Sequence, residues 1–417
     1  MLTNPLDNQP PPWANIMANI MSNQFIPYGR QHITQTDIDS VVAVLQSDFL
    51  TQGSQVPAFE ERVATYTGAK FGVAVNSATS ALHIACLALG LGQGEKGKDD
   101  WLWTTPITFT ASANCGLYCG ANIDFVDIDP LTLNMSITAL EEKLQLADAE
   151  NRLPKIVIPV HFTGEPCDMA AIHALSQQYG FKVIEDASHA IGGKYHNQPI
   201  GNCEFSDITV FSFHPVKIIT TAEGGLATTN DPALAQKMQL LRSHGITRDA
   251  NLMTDEPDGG WYYQQIDLGF NYRMTELQGA LGVSQMNYLD DFVTRRHQLA
   301  KRYDELLTDL PIMLPYRNPA NYSGFHLYPI QLTADSGKTR KQVFDSLRAQ
   351  NIGVNVHYIP VHTQPYYAKL GFKQGDFPHA ERYYAQAISL PLYYDLSEAS
   401  QAQVVNALKI ALAQALA

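Results

Sequence analysis

The sequence predicts an α/β protein: a large domain on a mixed seven-stranded sheet, followed by a smaller C-terminal α/β domain. Three observations carry this. Seven short apolar, β-rich runs occupy residues 71–75, 101–104, 123–127, 156–160, 182–186, 208–213 and 225–229. Helical patterns fit between several of the first five, at 80–89, 139–146 and 169–179, and such alternation marks parallel βαβ units. The gap from Phe213 to Gly225 is too short for a helical crossover, so one later strand is expected to run antiparallel.

Residues 1–24 are polar and proline-rich, with Pro10, Pro11 and Pro12 in a row and two internal methionines, Met17 and Met21. They read as a flexible extension or an upstream start. The large domain then spans 25–289. Thr275-Glu-Leu-Gln278 has the spacing of a capping box opening a helix with Leu277, Ala280, Leu281 and Ser284 on one face, and helical pattern continues over 291–307. Beyond it, strand patterns at 327–332 and 354–358 alternate with helical patterns at 338–350 and 397–416, which sets the small domain at 290–417.

The chain has 417 residues, 45% of them hydrophobic and 17% charged, enough for a sizeable core. Its 28 basic and 41 acidic residues leave a net charge of −13, which argues against nucleic-acid binding and docking on an anionic membrane. No run approaches the roughly 20 apolar residues of a membrane span, and the N-terminus has no secretory pattern. The five cysteines, Cys86, Cys115, Cys119, Cys167 and Cys203, lack paired metal spacing and read as buried thiols in a reducing compartment. A cytoplasmic protein is expected.

Three segments bear chemistry. Asn76-Ser-Ala-Thr-Ser80 joins a strand to a helix; its small hydroxyl residues and free N–H groups suit a phosphate or serve as an ordinary N-cap. Glu185-Asp-Ala-Ser-His189 lies at the carboxyl end of a buried strand, where ligands of open α/β sheets bind. There Asp186 could hold a proton on a heterocyclic nitrogen, with His189 near a ring substituent, or it could cap the next turn. The third, Phe211-Ser-Phe-His-Pro-Val-Lys217-Ile-Ile-Thr-Thr-Ala-Glu-Gly-Gly225, sets a lysine in an apolar loop five residues after Ser212. A desolvated lysine has a lowered pKa and becomes nucleophilic toward carbonyls. A phosphate cup, a carboxylate for a ring nitrogen and a reactive lysine are together what pyridoxal phosphate requires.

The segments LTQGSQVPAFE, NSATSALH, TTPITFTASAN, VDIDPLTLN, PVHFTGEPCDM, IEDASHAIGG, FSFHPVKIITTAEGG, LRSHG, FNYRMTELQGALG and VHYIPVH carry a resemblance over about residues 26–415. The chain resembles the sugar-nucleotide aminotransferases of the DegT/DnrJ/EryC1/StrS family, which are fold-type-I pyridoxal-phosphate enzymes. NSATSAL, TTPITF, SFHPVKIITTAEGG, RSHGIT and HLYPI are most similar to the branch that serves pseudaminic acid synthesis. The resemblance implies that Lys217 forms the Schiff base and moves protons, that Asp186 pairs with the pyridinium nitrogen, and that His189 lies near the phenolic oxygen. It further implies phosphate contacts from Ala78, Thr79 and Ser212, stacking by Phe109, and a contact from Asn271 of a neighbouring subunit, hence a homodimer. Some members of the family carry histidine at the lysine position and act as dehydratases; Lys217 favours transamination. The implied reaction moves an amino group from L-glutamate to C4 of a UDP-linked 4-keto-6-deoxy N-acetylhexosamine, giving UDP-4-amino-4,6-dideoxy-N-acetyl-β-L-altrosamine.

Thr51 in the Thr51-Gln52-Gly53 turn, Arg242, His326 and Tyr328 are the candidates for the sugar-nucleotide pocket; Arg242 and His244 fit a structural role equally well. His357 and His362, with His326, do not have the spacing of a metal site, so no metal is expected. Tyr366 and Tyr367 read as core residues. Without a Gly-x-Gly-x-x-Gly or Walker pattern, a nucleotide-fold dehydrogenase or NTPase is disfavoured. Two alternatives stand beside this reading: a dTDP- or GDP-linked keto sugar as acceptor, and a non-catalytic regulatory protein on an aminotransferase scaffold, against which intact Lys217, Asp186 and Ser212 argue.

Overall fold

The computed structural model describes residues 25–93 and 97–413; the extension expected at 1–24 lies outside the described residues. Strands β1 (Phe71–Val75), β2 (Trp101–Thr104), β3 (Asn122–Phe125), β4 (Ile156–Ile158), β5 (Lys182–Asp186), β6 (Ile208–Ser212) and β7 (Gly225–Thr229) form one seven-stranded sheet. Its order is β1-β7-β6-β5-β4-β2-β3. Neighbours from β3 through β6 run parallel, while β7 is antiparallel to both β6 and β1. The short 213–225 connection thus does what its length requires: it returns the chain beside β6 in the opposite direction. All five residues of β6 and of β7 are buried, as interior strands covered on both faces must be.

Helices α1 (Gln35–Leu45), α2 (Gln55–Thr67), α3 (Ala78–Ala88), α4 (Ala111–Tyr118), α5 (Ile137–Ala149), α6 (Met169–Tyr179) and α7 (Pro232–Arg242) belong to this part, followed by α8 (Glu276–Gln285) and α9 (Leu289–Leu307). The box expected at α8 is present: Thr275 Oγ1 accepts from Gln278 N at 3.3 Å, and Gln278 Oε1 accepts from Thr275 N at 2.8 Å. Beside it, buried Glu276 accepts from Gln55 N at 2.6 Å and from Val56 N at 3.3 Å, satisfying N–H groups that open α2.

The C-terminal part holds a three-stranded antiparallel sheet, β8 (Ile312–Met313), β9 (Tyr328–Leu332) and β10 (Ala387–Leu390), with helices α10 (Arg340–Ala349), α11 (Pro378–Gln386) and α12 (Glu398–Ala413). Helix α9 is shared between two cores. Leu289, Phe292 and Val293 pack with Phe211 and Phe213 of the large sheet, while Leu299, Tyr303 and Leu307 pack with β9 and α12. Ile26 joins this second core and bridges to Ile352.

The strand expected at 354–358 is corrected. That stretch makes only an isolated bridge, Asn355 to Ser389, because the chain there turns toward the large sheet and commits its side chains to the cavity described next.

Candidate active site

The carboxyl ends of β4, β5 and β6 and the N-terminus of α3 surround a cavity of about 890 Å3. Helix α3 opens with Ser77 as N-cap, its Oγ accepting from Ser80 N at 3.1 Å. A helix leaves its first N–H groups without intrahelical partners, and Ala78 and Thr79, which supply them here, line the cavity. The helix is brought there by Gly225: a Cβ on that residue would lie 2.4 Å from Ala78 N and 2.5 Å from Ser77 O. Glycine at the start of β7 therefore lets the strand run against the helix terminus, and Ser212, paired with Gly225 across the sheet, faces the same space.

Lys217 follows β6 in a loop closed by Phe213 O, which accepts from Thr221 N at 3.0 Å and from Thr220 Oγ1 at 3.0 Å. No hydrogen-bond or ion-pair partner for its Nζ exists among the described residues. Burial pushes its amine down to about 8, against the opposing pull of the Asp186 carboxylate. Asp186 itself is buried at the end of β5. Its Oδ2 accepts from Ser112 Oγ at 2.6 Å and its Oδ1 from Ser188 N at 3.1 Å.

His189, His326 and His357 crowd the floor. The rings of His189 and His326 lie 4.5 Å apart, and the Nδ1 of each is buried without a hydrogen-bond partner among the described residues. His189 Nε2 meets Tyr358 Oη at 3.0 Å. Burial, with Lys217 nearby, holds His189 and His326 well below the usual imidazole range and His357 at about 3, so all three are neutral near pH 7. His326 is set by Arg296, whose buried guanidinium donates to the carbonyls of Phe325 (3.1 Å) and His326 (3.2 Å). Phe109 stands at the mouth, 61% exposed, a ring with one face open.

Of the residues expected at the site, Ala78, Thr79, Phe109 and His189 line the cavity together with Ser212, Lys217 and His326, with Asp186 directly behind. The other substrate candidates are not brought there. Arg242 is engaged with Glu60 and donates to Ala74 O at 2.7 Å, the structural role its sequence also allowed. Tyr328 is fully buried in β9, its hydroxyl donating to Asp304 at 2.6 Å. Thr51 and Asn271 are exposed outside this chain's own cavity. His362 pairs with Glu381 at 2.9 Å. Tyr366 is exposed rather than core, while Tyr367 is buried as expected; Cys119 is half-buried, unlike the other four cysteines. Sequence reasoning missed Ser112 and Tyr358, whose only local signal is their neighbourhood: Ser112 follows Phe109 by three residues, and Tyr358 follows His357.

Known proteins share this architecture. Residues 31–409 match the DegT/DnrJ/EryC1/StrS aminotransferase family. The spore coat polysaccharide biosynthesis protein SpsC of Bacillus subtilis is 39% identical over 392 residues, 93% of this chain and 97% of that one. A UDP-4-amino-4,6-dideoxy-N-acetyl-beta-L-altrosamine transaminase of Campylobacter jejuni is 35% identical over 373 residues, 89% of this chain and 93% of that one. Among solved structures, Helicobacter pylori PseC, an aminotransferase involved in the biosynthesis of pseudoaminic acid, superposes with a TM-score of 0.85 at 30% identity, covering 93% of this chain and 99% of that one. The PLP form of the putative sugar aminotransferase Spr1654 of Streptococcus pneumoniae does so with a TM-score of 0.82 at 28% identity, over 93% and 99%. Fold, site and sequence agree: the chain has the fold-type-I architecture and belongs to the DegT/DnrJ/EryC1/StrS aminotransferase family.

Proposed function

We propose that this protein is a pyridoxal-phosphate-dependent sugar aminotransferase that carries an amino group from L-glutamate to C4 of a UDP-linked 4-keto-6-deoxy N-acetylhexosamine. The observation that carries the reading is the desolvated, unpartnered Lys217 amine beside the Asp186 carboxylate, opposite the open N-terminus of α3. The cavity fits the cofactor on its own terms. The orphan N–H groups of Ala78 and Thr79 with Ser212 Oγ suit a phosphate, buried Asp186 suits a protonated ring nitrogen, and His189 Nδ1, without a partner among the described residues, suits a ring substituent.

When bound, pyridoxal phosphate supplies an electron sink for the pair left as a proton leaves the substrate carbon. Asp186, its carboxylate held by Ser112 and Ser188, would face the ring nitrogen and favour its protonated form. Lys217 Nζ would hold the cofactor, and its amine, when deprotonated, would take and return the proton at the substrate carbon. Phe109 would stack on the ring face, and neutral His326, which lines the cavity, could offer a hydrogen bond to the sugar without adding charge. Asn271 of a partner subunit would complete the phosphate site, and the working unit would then be a homodimer. Glutamate as donor would leave as 2-oxoglutarate before the ketosugar enters, so ping-pong kinetics are expected.

The names of the Campylobacter transaminase and of Helicobacter PseC support the altrosamine product on the way to pseudaminic acid. A second reading, another nucleotide-linked keto sugar destined for a surface polysaccharide, is favoured by the greater identity to SpsC. One experiment tests both. A visible band should form with pyridoxal phosphate, bleach with glutamate, and return with the UDP-4-keto sugar. Return only with a dTDP- or GDP-linked acceptor would transfer the enzyme to the second reading; a band indifferent to glutamate would overturn the donor.

A further inference from the structure

The acidic partner of the ring nitrogen does not stand alone. Ser112, in the first turn of α4, is fully buried and places its Oγ 2.6 Å from Asp186 Oδ2. Thr108, also buried, places its Oγ1 2.7 Å from Ser112 Oγ. Either hydroxyl could donate in the Thr108–Ser112 contact considered by itself, but the proton inventory settles the direction. An ionised carboxylate only accepts, and a serine hydroxyl carries one proton. Ser112 therefore donates to Asp186, and Thr108 must donate to Ser112, giving a one-way chain Thr108 → Ser112 → Asp186. Aligned hydroxyl donors polarise one another, and a carboxylate accepting them is favoured in its charged form. The same turn carries Phe109 between the two hydroxyls, so the ring at the cavity mouth and the carboxylate behind it are fixed by one local structure.

We infer that Thr108 and Ser112 are positioning residues for the reaction: they orient the Asp186 carboxylate and hold Phe109 in register with it. The inference rests on the reading of Asp186 as partner of the cofactor's ring nitrogen. Among the described residues, Lys217, from the loop after β6, and the phenol of Tyr358 feel the charge of Asp186. Neither is altered by a change at Ser112, so a change in the behaviour of Asp186 reports the hydroxyl.

The test is a titration of the full-length protein with pyridoxal phosphate, followed by visible absorbance from acid to neutral pH, for wild type, S112A, S112T, T108V and D186N. For S112A we expect about tenfold weaker binding, the loss typical of a hydrogen bond to a charged group, and an acid limb of binding moved to higher pH. S112T should restore both. T108V leaves the Ser112 donation intact and should weaken binding by only about two- to threefold. A merely structural role for Ser112 would lower stability without moving the acid limb. If S112A binds as wild type with an unmoved limb while D186N fails to bind, the inference is overturned and the reading of Asp186 stands. If D186N binds as wild type, the reading of Asp186 falls and takes the inference with it.

Discussion

Lys217 makes the consequences of burial measurable. Its amine sits at about 8 in the folded chain against an ordinary 10.5, so the folded state favours the neutral form. Below about pH 8 the protein must protonate a desolvated amine, and this lysine destabilises the apo fold there; the cost fades as pH rises toward 10.5. Lys217→Met should therefore stabilise the apo protein at pH 7 by about 1–3 kcal/mol in denaturant unfolding, with the gap closing at alkaline pH. A gap that does not change with pH would show that desolvation is not its origin. Lys217, Asp186, His189 and the Ala78–Thr79 turn were legible in the sequence because their chemistry is local: each sits in a short strand-end motif. Arg242 and Tyr328 were not, because their partners Glu60 and Asp304 are brought to them only by the fold, and an arginine already paired with a carboxylate has little left to offer a substrate. Ser112 escaped for the same reason, since nothing in its own segment announces Asp186.

Among the elements, the junction of β7 with α3 positions the proposed phosphate cup, and Gly225 is what permits it. Gly225→Ala would drive a Cβ to within 2.4 Å of Ala78 N, a backbone atom that cannot swing aside. The expected result is a loss of about 1–3 kcal/mol of stability together with weaker pyridoxal-phosphate binding, read by unfolding and by absorbance titration. Gly260→Ala, at an exposed position where an added Cβ meets nothing within 4 Å, is the control and should change stability by less than about 0.5 kcal/mol. Most strands and helices were readable from periodicity and turn signals, including the reversal at β7, which follows from loop length alone. The misread segment at 354–358 has a strand's composition, but its backbone bridges to the neighbouring strand at Asn355 alone among the described residues. Its side chains instead serve the cavity: Val356, His357 and Tyr358 line it, and Tyr358 Oη reaches His189. A tertiary demand overrides the local preference there.

For the whole molecule, the proposed partner subunit matters most. Large apolar side chains stand exposed on this chain, among them Phe49, Trp261 and Leu268, and the last lies three residues from Asn271. Such exposure suits a face covered by a second copy. If Asn271 serves the neighbouring site, the variants K217A and N271A should each be inactive alone. Unfolded and refolded together, they should regain up to about a quarter of wild-type activity, because half the dimers are mixed and each of those holds one intact site. No recovery would place both residues in the same site. The division expected near residue 289 falls at the start of α9, which packs on both cores, so the two parts are expected to unfold in one transition.

The most direct test of the proposed chemistry is borohydride reduction of the protein incubated with pyridoxal phosphate, followed by peptide mass mapping. Reduction makes any carbon–nitrogen double bond between cofactor and lysine permanent. The expected result is one cofactor mass per chain, on the peptide that contains Lys217. A mass on another lysine, or none on any, would contradict the assignment of this cavity as the cofactor site.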